Sequence, residues 1–152
     1  MPIASASFQL VVAATANESA ALTTRTAQTS KRDSVSFANG TGSLEITGVV
    51  DTQVTVVSNS TTTALSTLTD TLENTFAYTR LKAWRISTPS TNVGNVTVTS
   101  NITGFPSGGI LHPNATIGGF TAFANGTTVA AANTITAAGV NSDTVNVTLY
   151  LS

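Results

Sequence analysis

Short runs of Val, Ile, Thr, Leu and Phe, each closed by Gly, Asn, Ser or Asp, recur at intervals of about 8–12 residues, the spacing of an all-β sandwich or barrel. They read SFQLVVAA at 7–14, DSVSFAN at 33–39, GSLEITGVV at 42–50, QVTVVSN at 53–59 and NVGNVTVTSNIT at 92–103. GGILH at 108–112, ATIGGFTAF at 115–123, TTVAAANTIT at 127–136 and DTVNVTLYL at 143–151 complete the series. Apolar and polar residues alternate within them: Val35 and Phe37 against Ser34 and Ser36, and Val145, Val147 and Leu149 against Asn146 and Thr148. A period of two lines one face of a pleated strand, and the abundant Val and Thr are stiff at χ1 and favour extended backbone.

The pattern predicts an all-β fold, a single antiparallel β-sandwich of jelly-roll or Ig-like type. One stretch departs from it. In TALSTLTDTLENTF, at 63–76, Leu65, Leu68, Leu72 and Phe76 fall three or four residues apart and allow one short helix near residues 65–74. Residues 25–32, RTAQTSKR, read as a polar loop. Residues 15–152 form one domain on this reading, with residues 1–14 as an N-terminal arm or exchanged strand.

Composition narrows the function. Charged residues make up 9% of the 152, against roughly 25% in a typical soluble domain, and the formal net charge is −1. A nucleic-acid binder ordinarily carries a basic surplus, which is missing here. With no Cys, disulfide frameworks, thiolate metal sites and Cys nucleophiles are excluded. No run approaches the ~18 apolar residues of a membrane span. The N-terminus lacks both a basic leader and a long apolar run, so export by the usual signal is not expected.

Catalytic signatures are absent as well. His112, the one histidine, precedes Pro113 in a turn-like ILHPN. No Gly-x-Ser-x-Gly turn exposes a nucleophile. Asp70 and Glu73 are close enough in sequence to meet, but a capping or loop role suits them better. The reading is therefore no enzyme, no cofactor and no metal. Asn-x-Ser/Thr occurs eight times, from Asn17 to Asn146, more often than composition alone predicts. Turn and strand chemistry accounts for it most simply, and glycosylation is the alternative.

The most distinctive stretch is NTFAYTRLKAWRIS at 74–87, which holds the only Trp, one of two Tyr, and half of the six basic residues. Strict alternation puts Phe76, Tyr78, Arg80, Lys82, Trp84 and Ile86 on one face. A β-bulge near Thr79 and Arg80 would instead bring Tyr78 and Leu81 together inside. Tyr78, Arg80, Lys82 and Trp84 are candidate assembly or ligand contacts. So are Phe8, Leu10 and Val12, the apolar face of the first strand. A structural strand is favoured over a nucleic-acid strip, because three cations have no surplus around them.

The segment LTDTLENTFAYTRLKAWRISTPSTNVGNVTV at 68–98 resembles small virion structural proteins of tailed bacteriophages. The matching positions are Leu68, Thr69, Asp70, Phe76, Arg80, Leu81, Lys82, Ala83 and Ile86, and the closing SDTVNVTLYLS is similar to that family's last strand. The resemblance covers about a third of the chain. It implies a non-enzymatic β-sandwich of the virion (head decoration, head fibre or tail component) made in the host cytoplasm. The implied partners are further copies of the chain, with a trimer expected first, and other capsid or tail proteins. No nucleic-acid or membrane partner is implied. The competing readings are a carbohydrate-binding module that stacks sugar on Tyr78 and Trp84, and a secreted surface-layer or pilus subunit.

Overall fold

The computed structural model describes residues 5–20, 23–41, 45–106, 108–120 and 126–152, with side chains from residue 36 onward, Phe120 excepted. Two long strands come first, β1 (Ser5–Ala20) and β2 (Thr23–Asn39), followed by the short β3 (Glu45–Ile46). The remaining strands are β4 (Gly48–Thr55), β5 (Ser60–Ala64), β6 (Arg80–Ser87), β7 (Val96–Ser100), β8 (Gly109–Leu111) and β9 (Thr116–Phe120). Three more close the chain: β10 (Thr127–Thr128), β11 (Thr134–Ala138) and β12 (Thr144–Leu151).

Two antiparallel sheets make the sandwich. One runs β4-β12-β6, with β9 and then β10 pairing the far side of β6; the other runs β5-β11-β7-β8. Most connections carry the chain from one sheet to the other. The resulting interleaving, β4, β12, β6, β9 facing β5, β11, β7, β8, is the two-sheet jelly-roll order. It is one of the two sandwich types that the strand spacing predicts.

Alternation builds the core. In β12, Val145, Val147, Leu149 and Leu151 are buried while Thr144, Asn146, Thr148 and Tyr150 are not. They meet Val50 and Val54 of β4, Ile86 of β6, Val96 and Val98 of β7, and Ile135 and Ala137 of β11. Burying each such aliphatic side chain contributes about 1.5–3 kcal/mol, which makes this interior the main source of cohesion.

The third sheet is a hairpin. β1 and β2 pair without a break from Ser5↔Ala38 to Ala20↔Thr23, and β3 adds two residues in parallel at its base. Residues 25–32, expected to form a loop, lie inside β2. Cross-strand pairing with β1 satisfies the backbone groups that face it, which holds this polar stretch extended. Residues 5–14 of the expected arm belong to this hairpin; residues 1–4 lie outside the described residues.

The helix allowed near 65–74 does not form. A single 3-10 turn at Leu65–Thr67 is followed by an isolated bridge between Thr69 and Thr75. Asp70 decides this. Its carboxylate accepts the backbone N–H groups of Leu72 and Asn74 at 2.8 Å each, a turn-forming arrangement that competes with helical bonding. Glu73 then takes φ 65°, ending any helical path.

Candidate functional site

The outer face of the β4-β12-β6 sheet has two halves of different chemistry. Near both strand β3 and the end of β12, Ala83 is buried with Phe37 and Ile46, flanked by Val49 and Tyr150. Phe37 stacks on Tyr150 with ring centroids 5.8 Å apart. This small second core fastens the base of the hairpin to the sandwich.

Beyond it the same face becomes polar. Asp51 and Gln53 of β4, Arg85 and Ser87 of β6, and Asn146 and Thr148 of β12 surround a hollow of about 460 Å³. Register explains the gathering: Asn146 pairs with both Gln53 and Ser87, and Thr148 with both Asp51 and Arg85. Gln53 Nε2 donates to Asn146 Oδ1 at 3.0 Å, and Thr148 Oγ1 donates to Asp51 Oδ1 at 3.1 Å. Arg85 is exposed among them. The floor thus offers a carboxylate, a guanidinium and two amides, groups suited to polar recognition.

Strand β6 carries three of the seven residues singled out by sequence, Arg80, Lys82 and Trp84, and a β-bulge lies among them. Tyr150 pairs with Ala83 while Leu151 pairs with Leu81, so Lys82 is the extra residue. Strict alternation through β6 therefore fails, and the bulge, the alternative reading, lies two residues beyond Arg80. Leu81 shares the inner face with Trp84 and Ile86, and Tyr78 packs on the same core.

The candidates do not converge on one site. Trp84 is half-buried, its ring 5.2 Å from Phe105, and it lies over Gly119, where an added Cβ would come within 3.0 Å of Cζ2. Tyr78 lies edge-on to Phe76 at 5.4 Å and donates its hydroxyl to Asp70. The two rings pack on one core but against different neighbours, Trp84 on Phe105 and Tyr78 on Phe76. Arg80 donates from Nη1 to Thr128 Oγ1 at 2.8 Å. Lys82 is buried; desolvation lowers its pKa, Arg80 lowers it further, and Glu45 opposes the change. Phe8, Leu10 and Val12 fall in β1, and their side chains lie outside the described residues.

Asp70 shows the clearest electrostatic adjustment. Burial alone would raise its pKa, but bonds from Asn74, Tyr78 and two backbone N–H groups outweigh it and hold the carboxyl at about 2. Burial, then the bond and charge of Asp70, push the Tyr78 phenol upward. Both adjustments stabilise a turn. His112 is exposed and sits 2.8 Å from Asn95 Oδ1 through Nδ1. Among the described residues no three His, Asp or Glu gather as metal ligands would.

The hollow escaped the sequence reading. Its members are the polar phase of strands whose apolar phase is conspicuous, and a signal existed in VDTQV and VNVTL read together. No protein-family model, curated protein or solved structure matches this chain.

Proposed function

We propose that this chain is a non-enzymatic structural subunit of a virion of the tailed-bacteriophage type, working by assembly with copies of itself and with other virion proteins. The observation that carries the reading is the β1–β2 hairpin. Sixteen residues of β1 are paired in continuous register, roughly 50 Å of ribbon at strand rise, and its base is tied into the sandwich by β3 and the Phe37–Tyr150 stack. An isolated two-stranded ribbon is marginal in water and gains its stability from a third strand or a packed face. A neighbouring subunit supplies either. The jelly-roll architecture is common to capsid proteins and lectins, an analogy of fold that supports the reading without specifying it.

Light scattering on the full chain and on a chain lacking residues 1–12 tests this. The expected result is a homo-oligomer, with three copies the first expectation, that weakens on truncation, together with the protein's presence in purified particles. A monomer at every concentration, absent from particles, overturns it.

The polar hollow favours one second reading, a carbohydrate-binding module using Asp51, Gln53, Arg85 and Asn146 in place of stacked rings. Binding on a glycan array that disappears in Arg85→Ala would select it.

A further inference from the structure

Five large apolar side chains stand exposed among the described residues, and three of them, Val57, Val93 and Val140, sit on loops at one end of the sandwich. They come from three different connections: β4 to β5, β6 to β7, and β11 to β12. Hydrogen bonds tie the first and third together. Ser58 N–H donates to Asn141 Oδ1 at 3.1 Å, Gly139 N–H to the Asn59 carbonyl at 3.1 Å, and Ser142 N–H to the Val56 carbonyl at 2.9 Å. Val140 lies on the second, where a Cβ at Gly94 would come within 2.6 Å of its Cγ2.

The middle loop is held rigidly. Asp143, only 2% exposed, turns its carboxylate to the backbone N–H groups of Val93 at 2.7 Å and Gly94 at 3.1 Å. Asn92, also buried, donates from Nδ2 to the Thr144 carbonyl and accepts the Thr144 N–H at Oδ1. Two buried polar side chains thus fix a loop whose foremost residue, Val93, is 84% exposed. A preorganised apolar side chain binds at a lower entropic cost than a mobile one.

Charge is compatible with a second copy of the chain as the occupant. Residues 57–59, 89–95, 112–114 and 140–143 contain no Lys, Arg or Glu, and their one acid, Asp143, is buried in the loop bond just described. Copies converging on a rotation axis set each patch against its own likeness, so like charges there would repel. Apart from the exposed His112 this surface bears no ionisable side chain in the open, so copies meet there without that penalty.

We infer that the Val57, Val93 and Val140 end is a self-association surface, at which copies of this chain converge. The inference rests on the assembly reading above and names a second contact for it. β4 runs from Gly48, beside the hairpin base, to Thr55 at the valine end, so the two contacts lie at opposite ends of the sandwich. A subunit with a contact at each end can join more than one neighbour.

Sedimentation equilibrium on the full chain tests the inference with three variants: Val93→Lys, Val93→Cys and, in the hairpin, Phe8→Asp. Val93→Lys should weaken self-association by about tenfold or more while leaving the melting temperature unchanged, because the residue is exposed. Val93→Cys, in a chain with no Cys, should yield covalent dimers with a short bifunctional thiol reagent. Association of Val93→Lys as tight as the parent's, or an oligomer of Val93→Cys that gives no covalent dimer, overturns the inference. If only Phe8→Asp dissociates the oligomer, the valine surface fails and the hairpin reading stands; if only Val93→Lys does, the reverse holds. A parent chain that is monomeric throughout overturns both. Val93→Lys that self-associates normally but no longer enters particles assigns the surface to another virion protein, and the inference falls.

Discussion

Tyr78 donates its hydroxyl to the buried carboxylate of Asp70 while its ring covers Gly48, so one aromatic side chain clamps the 69–75 turn to the start of β4. The clamp stands where the chain enters the sandwich from the hairpin. Thr71 N–H reinforces it by donating to the Val49 carbonyl at 2.8 Å.

Tyr78→Phe should therefore cost about 1.5–3 kcal/mol at neutral pH, the worth of a hydrogen bond to a charged group. The pH dependence follows from Asp70, whose folded pKa of about 2 lies below the unfolded value of about 3.9. Its stabilisation is complete above pH ~4 and is lost as pH falls through ~2. The difference between Tyr78→Phe and parent should narrow across that window in denaturant titrations. A difference constant from pH 7 to pH 2 would show that the hydroxyl does not act through Asp70.

Gly48→Ala should be severely destabilising, because the new Cβ would occupy the position of the Tyr78 phenol. Ring and backbone would have to separate, breaking the bond to Asp70 as well. A loss of about 3 kcal/mol or more in urea unfolding is expected, at the upper end for overpacking a core. The double variant Gly48→Ala with Tyr78→Ala should cost less than the sum of its parts.

Trp84→Ala should cost about 3 kcal/mol, the lower end for removal of an indole, since the ring is half-buried rather than fully enclosed. Gly119→Ala forces a methyl against the same ring at 3.0 Å and should cost about 1–3 kcal/mol. It should also shift the emission of the single Trp. Parent fluorescence that acrylamide quenches as freely as a model indole would contradict the packing against Phe105.

Phe37→Ala should loosen the hairpin from the sandwich without unfolding the latter. Phe37 touches the small outer core with Ile46 and Ala83, separate from the main interior. Faster amide exchange is expected for Gly40, whose N–H donates to the Ile46 carbonyl, and for β3, with β11 and β7 unaffected. Equal acceleration in all of them would mean that the two cores unfold as one.

Local sequence was enough to determine that this protein is built of strands, and which side of regular strands such as β7 and β12 faces inward. Side-chain direction repeats every two residues whatever the partner, so DTVNVTLYL alone announces Val145, Val147 and Leu149 as interior. Pairing was not legible in this way. That β12 lies between β4 and β6, making the sandwich a jelly roll, depends on contacts between residues some ninety positions apart, such as Gln53 with Asn146. The bulge at Lys82 likewise arises from a mismatch with Tyr150 and Leu151, which nothing within β6 records. A helical spacing at 65–74 misled because Asp70 satisfies the turn's backbone more directly than a helix would. The polar hollow and the three valines exist only in three dimensions, since each draws its members from at least three separate segments. Period sets direction strand by strand, and only the folded chain decides which strands and loops become neighbours.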